Sequence, residues 1–312
     1  MKAILYEKTK SAKELILRDV KKPIPRNHEV LVRIHASSLN ALDYRSMHMG
    51  IGIPKKRIFG ADIVGVVEEC GSHASQFKPG DTVLGDISGC GSGGFAEYVS
   101  VPEDVLVSKP ADVSDETAVA LPVAAVTALQ AVRDKAAVQP GLQMLIYGAS
   151  GGVGTYAVQL ATYFGAQVTA VCSAQNISEA RSLGAREVID YALEDITASD
   201  RKFDRIIAIN GTIPLSAYRK ILAPHGIYVM VGGSLRQIFT AIFLGPFLST
   251  GSRKFRALTA KPNRKDLGFV MELVAAGELR VVIDRKYPLE QASDAMRYIG
   301  EGHARGKVII TM

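Results

Sequence analysis

Leu145-Ile-Tyr-Gly-Ala-Ser-Gly-Gly-Val-Gly154 joins a short apolar run to an amphipathic segment, and the rest of the chain can be interpreted outward from it. The apolar run, Gln143 to Tyr147, follows a Pro140-Gly141 turn and predicts a buried strand. Beyond the glycines, apolar residues recur at the i, i+3, i+4 and i+7 spacing of one helix face, at Ala157, Leu160, Ala161 and Phe164. A strand, a glycine-rich turn and a helix in succession form the context in which such a turn binds nucleotide phosphates.

The turn matches the G-x-G-x-x-G pattern with Ala149 in its first place. We expect Gly148 and Gly151 to adopt backbone conformations that other residues avoid, and Gly154 to let the helix pack closely. The unpaired N–H groups at the start of the helix suit a pyrophosphate. The predicted cofactor-binding turn comprises Gly148, Ala149, Ser150, Gly151, Gly152, Val153 and Gly154. The alternative is a tight turn between strand and helix that binds no ligand.

Composition indicates an ordinary globular protein. The 312 residues suggest about two domains, with 47% hydrophobic and 22% charged residues and a net charge of +6. The three cysteines form no C-x-x-C pair and predict neither a disulfide framework nor a cysteine-rich zinc site. The N-terminus has no signal-peptide pattern, and no apolar window is long enough to span a membrane, so we expect a cytoplasmic protein.

Two kinds of pattern divide the chain. Residues 1–118 hold short β-rich runs separated by Pro, Gly and Asn turns, which predicts an antiparallel, barrel-like domain. Beyond them, strands alternate with helices and predict a doubly wound parallel sheet. Its predicted strands span 143–147, 167–172, 187–189, 203–209 and 227–231. The C-terminal tail, with a strand at 307–311, is expected to fold back onto the first domain. One domain would then comprise residues 1–118 and 260–312, and the other residues 119–259. The apolar run 235–248 is expected to be a buried helix or a subunit contact.

The second strand of the parallel sheet bears on the choice of nicotinamide cofactor. An acid at its end would bind the adenine-ribose hydroxyl of NAD, whereas this strand ends in Cys172 and Ser173, followed by Asn176, without an acid. Ser173 and Asn176 could donate to a 2′-phosphate, so NADPH is predicted, with NADH possible. The alternative is a small polar loop that contacts nothing.

Several further motifs stand along the chain: Asn40-Ala-Leu-Asp43, Phe59-Gly-Ala-Asp62, Gly65-Val-Val-Glu68, Phe77-Lys-Pro-Gly-Asp-Thr-Val83, Gly93-Gly-Phe-Ala-Glu-Tyr98 and Gly302-His-Ala-Arg-Gly-Lys307. Together with the glycine-rich turn, they resemble the medium-chain dehydrogenase/reductase superfamily, in its zinc-free quinone oxidoreductase and alkenal/enone reductase branch. The resemblance covers almost the whole chain. It implies an α/β protein with a β-rich GroES-like catalytic domain, a Rossmann domain and a homodimer.

Zinc-dependent relatives carry Cys at the position of Asn40 and His at that of Ala61. Asn and Ala cannot replace a thiolate and an imidazole, so no metal is expected. Without zinc to hold an alkoxide, delivery of hydride to a quinone or an activated alkene is favoured over alcohol oxidation. Hydrogen-bond donors could hold the delocalised charge that then forms.

The resemblance also implies roles for single residues. Asn40 would lie near the nicotinamide; the alternative is an Asn that merely stabilises a turn. Tyr44 could donate to a carbonyl oxygen; the alternative, which has at least equal weight, is an aromatic side chain packed in the core. Further cofactor contacts are implied at Thr127, Tyr191, Asn210, Gly232 and Lys307. Thr127 could instead bond its own helix backbone.

The leading hypothesis is an NADPH-dependent, zinc-independent reductase of quinones or α,β-unsaturated carbonyls. A zinc-free alcohol or aldehyde oxidoreductase is the first alternative. The basic residues between Arg253 and Lys265 raise a third, a dinucleotide-binding protein that contacts RNA without catalysis, although a solvated surface explains them more simply.

Overall fold

A computed structural model describes residues 1–8, 13–209, 213–232, 249 and 252–312. The chain forms two compact units: the first comprises residues 1–126, 262–277 and 281–312, and the second comprises 127–261 and 278–280. The first division falls after Val126, whereas the sequence predicted it after residue 118. The apolar run at 235–248 lies outside the described residues.

Strands and α-helices make up most of the described part of both units. The strands are β1 (Lys2–Lys8), β2 (Lys13–Asp19), β3 (Glu29–Leu39), β4 (Asp62–Cys70), β5 (Thr82–Asp86), β6 (Tyr98–Pro102), β7 (Leu106–Ser108), β8 (Gln143–Tyr147), β9 (Gln167–Cys172), β10 (Glu187–Asp190), β11 (Phe203–Ile209), β12 (Leu222–Val231), β13 (Lys254–Leu258), β14 (Ile283–Pro288) and β15 (Lys307–Thr311). The α-helices are α1 (Ala41–Met49), α2 (Asp115–Val119), α3 (Pro122–Leu129), α4 (Gly154–Tyr163), α5 (Ile177–Ser182), α6 (Leu215–Ile221), α7 (Arg264–Ala275) and α8 (Ala292–Gly300).

The first unit is built on a largely antiparallel sheet. Its described strands run in the order β14-β15-β3-β4-β5-β7, with β6 also paired to β3, and β1 and β2 form a separate hairpin. Register shifts interrupt the pairing of β3 with β4, which bends the sheet as a barrel requires. Apolar side chains from these strands, among them Val32, Ile63 and Val83, fill one core cluster. The predicted antiparallel, β-rich domain is thereby confirmed.

One predicted strand of this unit is shifted. The sequence predicts a strand at 95–99, whereas β6 begins at Tyr98. Phe95 donates its N–H to the carbonyl of Phe59 at 3.0 Å, and Ala96 forms only an isolated bridge with Ala3. The backbone of Phe95 and Ala96 therefore contacts Phe59 and β1 instead of forming a regular strand.

The second unit contains the predicted parallel sheet. Its described strands run in the order β10-β9-β8-β11-β12-β13, and all neighbours are parallel. This is the 3-2-1-4-5-6 order of the doubly wound dinucleotide-binding fold, which reverses between β8 and β11. The predicted Rossmann domain is therefore confirmed. Ligands bind such sheets beyond the carboxyl ends of the strands at this reversal.

The segment 118–137 is rich in Ala, Val and Leu, which predicts one helix, but the structure divides it. It forms α2, α3 and a π-helical turn at Gln130–Lys135. The sequence did not predict α7, which begins after Asn263. The Asn263 side chain caps α7 by accepting from the N–H groups of Lys265 and Asp266.

Candidate active site

The glycine-rich turn lies where the strand order of the second unit reverses. Gly148 follows β8 with φ of +82°, and its N–H donates to the carbonyl of Val171 in β9 at 3.1 Å. A Cβ on Gly148 would lie 2.4 Å from the carbonyl oxygen of Ile209, the last residue of β11. Gly148 is therefore required both by its backbone conformation and by the close approach of β11.

The other glycines of the turn differ from one another. A Cβ on Gly154 would lie 2.1 Å from the carbonyl oxygen of Gly148, so the start of α4 can approach the turn only with glycine there. The prediction of close packing at Gly154 is confirmed. The predicted special conformation of Gly151 is wrong, because its φ is not positive. A Cβ on Gly151 would meet nothing closer than the Gly148 oxygen at 3.8 Å, which leaves open space beside the turn.

Polar groups follow β9 and β10 at the same edge of the sheet. The Asn176 amide donates to Ser173 Oγ at 2.9 Å, and Asn176 is buried. With its Oγ accepting this bond, Ser173 keeps its own O–H as a donor. Tyr191 donates its N–H to the carbonyl of Cys172 at 3.2 Å, and the residue is about half exposed. The acid at the end of β10, Asp190, accepts from the N–H of Ala192 at 3.0 Å, within its own turn.

The remaining predicted cofactor contacts are distributed as follows. Thr127 is buried in α3, and Gly232 follows β12 with φ of +71°. Both lie in the second unit, whereas Lys307 lies in the first. Asn210 lies outside the described residues. These cofactor contacts stay predictions.

A buried polar cluster joins three distant segments of the first unit. Asn40 precedes α1, Asp62 begins β4 and Lys307 begins β15. Lys307 Nζ lies 2.8 Å from Asn40 Oδ1 and 3.4 Å from Asp62 Oδ2. The Asn40 amide nitrogen donates to Asp62 Oδ2 at 2.8 Å. Lys307 and Asp62 are almost wholly inaccessible to solvent.

Asp62 is the most heavily hydrogen-bonded member of this cluster. Its Oδ2 also accepts from the hydroxyl of Ser38, and its Oδ1 accepts from the N–H of Val123 at 2.8 Å. A buried carboxylate requires such compensation. In the sequence, Asp62 belongs to the Phe59-Gly-Ala-Asp62 motif, and no neighbouring residue identifies Lys307 as its partner.

The buried charge of Asp62 contributes to raised pKa values at two further carboxyl groups of the first unit. Asp43 accepts from the N–H groups of Asn40 at 3.0 Å and Gly60 at 3.3 Å, and its pKa is raised to about 7, mainly by burial and further by the charge of Asp62. Burial and the charge of Asp62 also raise the pKa of Asp86 to about 6. Asp86 helps to line a pocket of about 410 Å³.

Tyr44, the second predicted catalytic residue, is packed. Its ring stacks on that of His48 with a centroid distance of 5.6 Å. On another side, a Cβ on Gly300 of α8 would lie 2.3 Å from Tyr44 Cε2. This packing favours the structural alternative for Tyr44, and its catalytic role stays a prediction.

The groups around Asn40 differ from the thiolate and imidazole ligands that zinc-dependent relatives carry. The position of the second ligand is Ala61, and an ammonium already contacts the Asn40 oxygen. Within the described ranges, no group of three or more His, Cys, Asp and Glu side chains is placed to hold a metal ion.

The contacts of the basic stretch between Arg253 and Lys265 bear on the alternative of an RNA-binding protein. Three arginines of the basic stretch donate to oxygens elsewhere in the chain: Arg253 to the carbonyl of Leu222, Arg256 to that of Lys135, and Arg264 to the Gln76 side chain.

Among the residues that the structure describes, no helix combines the length and apolarity needed to cross a bilayer.

Comparison with known proteins gives family matches on both sides of the glycine-rich turn. Residues 26–111 match the alcohol dehydrogenase GroES-like domain, and residues 183–310 match a family described as zinc-binding dehydrogenase. The name of the second family describes that family and not the ligands of this chain.

Individual relatives cover nearly the whole chain. A chloroplast envelope quinone oxidoreductase homolog of Arabidopsis thaliana is 36% identical over 92% of this chain and 91% of its own length. A mitochondrial NAD(P)H oxidoreductase of Mus musculus, RTN4IP1, is 31% identical over 91% of this chain and 82% of its own length. The structure of the quinone oxidoreductase from Coxiella burnetii superposes with a TM-score of 0.90 at 29% identity, over 100% of this chain and 99% of that one.

The order of the parallel strands, the glycine-rich turn at its reversal and the GroES-like unit agree with these similarities. Together they support an oxidoreductase that uses NAD(P)H and acts on a small molecule. The chain belongs to the medium-chain dehydrogenase/reductase family and fits its quinone oxidoreductase branch.

Proposed function

We propose that this protein reduces quinones or α,β-unsaturated carbonyl compounds with NADPH, and that it does so without zinc. The observation that carries the proposal is the buried cluster of Asn40, Asp62 and Lys307. By the family resemblance, Asn40 stands where zinc-dependent relatives carry Cys. The cluster around it offers an amide and an ion pair in place of thiolate and imidazole ligands.

The chemistry of this cluster suits a carbonyl acceptor. The bound cofactor would supply a hydride, and the substrate oxygen then takes up negative charge. The amide of Asn40 is a hydrogen-bond donor, and a donor placed at such an oxygen stabilises the charge as it develops. Alcohol oxidation would instead require a group that holds an alkoxide, as zinc does. A conjugated carbonyl spreads its charge, so an uncharged donor can suffice.

The preference for NADPH rests on the end of β9. Ser173 retains a hydroxyl donor, and no acidic side chain follows it before α5. A carboxylate at this position would repel a 2′-phosphate, while a hydroxyl accommodates it. The buried Asn176 contributes by fixing Ser173 and not by contacting the phosphate itself, so we expect a preference for NADPH with NADH still used. We further propose that the protein is a cytoplasmic homodimer, which sedimentation and cell fractionation would test.

The test compares NADPH and NADH oxidation with a 1,4-quinone and with an enone, each with and without a chelator. We expect chelator-insensitive turnover that prefers NADPH, and the better acceptor then identifies the substrate class. Steady reduction of NADP⁺ by simple alcohols, without turnover of quinone or enone, would contradict the proposal and favour an alcohol oxidoreductase.

A further inference from the structure

The amide of Asn40 can adopt only one orientation in its surroundings. Its oxygen lies 2.8 Å from the ammonium of Lys307, and its nitrogen lies 2.8 Å from a carboxylate oxygen of Asp62. Rotation of the amide by 180° would bring N–H groups against the ammonium and oxygen against the carboxylate. Both contacts would be repulsive in a site that excludes water, where electrostatic interactions are strong.

We propose that Lys307 and Asp62 are positioning residues that hold the Asn40 amide so that its second N–H is directed at the substrate oxygen. This inference rests on the proposed function, because that function gives Asn40 its role as a donor. It assigns to Lys307 a different task from the cofactor contact that the sequence predicted.

The hydrogen bonds of Lys307 support this assignment. An ammonium has three donors, and Lys307 Nζ has three acceptors within reach: Asn40 Oδ1, the carbonyl of Leu39 at 3.1 Å and Asp62 Oδ2. The side chain is also only 2% exposed. Lys307 therefore has no donor left for a phosphate or a substrate, and it acts through the groups that it contacts.

The hydrogen bonds of Asn40 support the same assignment. Its amide nitrogen has two hydrogens, and one is donated to Asp62. Among the described residues, the second hydrogen has no acceptor. Asp62 in turn is held by Ser38 and by the N–H of Val123, so the group that orients Asn40 is itself fixed. A fixed donor costs no reorganisation when charge develops on the substrate.

The first experiment is a double-mutant cycle of Asn40→Ala and Lys307→Met, read as kcat at saturating cofactor and quinone. If Lys307 acts through Asn40, each single variant loses activity, by about tenfold to a hundredfold. The double variant then loses no more than Asn40→Ala alone. Additive losses would overturn the inference. Lys286→Met is the matched control, because Lys286 pairs with Glu116 at the surface of the same unit.

The dissociation constant for NADPH separates positioning from a direct cofactor contact. We expect Lys307→Met to leave this constant within about twofold of the wild-type value, because its ammonium is occupied inside the protein. A loss of about tenfold or more with kcat unchanged would show that Lys307 binds the cofactor, and would overturn the inference.

Folding must be separated from positioning, because Lys307→Met leaves Asp62 as an unpaired buried charge. The variant Asp62→Asn with Lys307→Met removes both charges together. We expect it to fold and bind NADPH with kcat still reduced. An amide at position 62 can pair with either orientation of the Asn40 amide, so no charge then selects one of them. Recovery of full kcat in this neutral variant would contradict the inference.

A measurement without turnover distinguishes failure of this inference from failure of the proposed function. The chain has five asparagines, Asn27, Asn40, Asn176, Asn210 and Asn263, so selective ¹⁵N labelling gives few side-chain amide signals. Asn40→Ala assigns the Asn40 pair. We expect Lys307→Met to shift that pair and speed its hydrogen exchange, while the Asn27 and Asn263 signals stay unchanged. An unaltered Asn40 pair would overturn the inference even if quinone reduction is observed. Shifted signals in a protein that reduces neither quinone nor enone would refute the proposed function alone.

Discussion

Lys307 and Asp62 form a buried ion pair, 3.4 Å between Nζ and Oδ2, although 245 residues separate them along the chain. The fold explains how they meet. The strand of Lys307 (β15) and the strand of Asp62 (β4) both pair with β3, one on each side. Asn40, immediately beyond the end of β3, therefore lies between them.

This arrangement predicts a strong effect of breaking the pair on stability. Lys307→Met should lower the free energy of unfolding by about 3 to 5 kcal/mol, because it leaves a buried carboxylate without its counter-charge. The neutral variant Asp62→Asn with Lys307→Met should cost less than Lys307→Met alone. Denaturant unfolding of both variants checks this. Equal losses in the two would contradict the ion pair as the source of the effect.

Ser173 should determine how strongly NADPH is preferred. Ser173→Asp introduces a carboxylate at the end of β9, where it would repel a 2′-phosphate and accept from a ribose hydroxyl. We expect the dissociation constant for NADPH to rise about tenfold or more, with little change for NADH. Fluorescence titration with both cofactors measures this. A parallel weakening of both would show that the site of the 2′-phosphate lies elsewhere.

Two glycines of the same turn should separate folding from binding. Gly154→Ala places a Cβ 2.1 Å from the Gly148 oxygen, so it should lower Tm. Gly151→Ala places its Cβ in open space, so Tm should stay near the wild-type value. The added methyl would lie where the cofactor is expected to approach, so NADPH binding should weaken by about 1 kcal/mol or more. Thermal melts with and without NADPH measure both effects, and a lower Tm of the free Gly151→Ala protein would contradict the separate roles of the two glycines.

Asp86 should make stability fall as pH rises. Its pKa is about 6 in the folded protein against an ordinary value of 3.8, so the folded protein binds more protons between these values. The free energy of unfolding should therefore decrease from about pH 4 to about pH 6. The pKa of Asp43 is also raised, to about 7, so Asp43 should likewise lower the free energy of unfolding as pH rises, up to about pH 7.

Asp86→Asn should remove the contribution of Asp86 while keeping an acceptor for the N–H of Ser88. We expect the variant to be more stable than wild type at pH 8, by on the order of 1 to 3 kcal/mol, and equal to it near pH 4. Chemical denaturation at both pH values checks this. A gain of the same size at pH 4 would point to packing in place of ionisation.

Local patterns predicted the second unit well. The glycine-rich turn and the alternation of strands with helices depend on residues that are close together in the sequence. These features therefore predicted a doubly wound parallel sheet. The prediction of a special conformation at Gly151 was wrong, because the G-x-G-x-x-G pattern does not specify which glycine has the positive φ. In this turn that glycine is Gly148, at the approach of β11.

The buried cluster could not be predicted in the same way. Asp62 and Lys307 stand in unremarkable β-rich segments, and only the pairing of β15 and β4 with β3 brings them to Asn40. The hydrogen bond from Asn176 to Ser173 was missed for a related reason. An exposed polar loop and a buried one have similar sequences, and burial of Asn176 depends on how the loop packs.

The most direct test of the central claim is NADPH-dependent reduction of a 1,4-quinone by protein dialysed against a strong chelator. Wild-type protein and Asn40→Ala should be compared at matched cofactor saturation. We expect full activity of the chelated wild type, faster turnover with NADPH than with NADH, and a loss of about tenfold or more in kcat for Asn40→Ala. Activity that disappears on chelation and returns with Zn²⁺, or that is indifferent to Asn40, would contradict a reductase that works through the amide of Asn40.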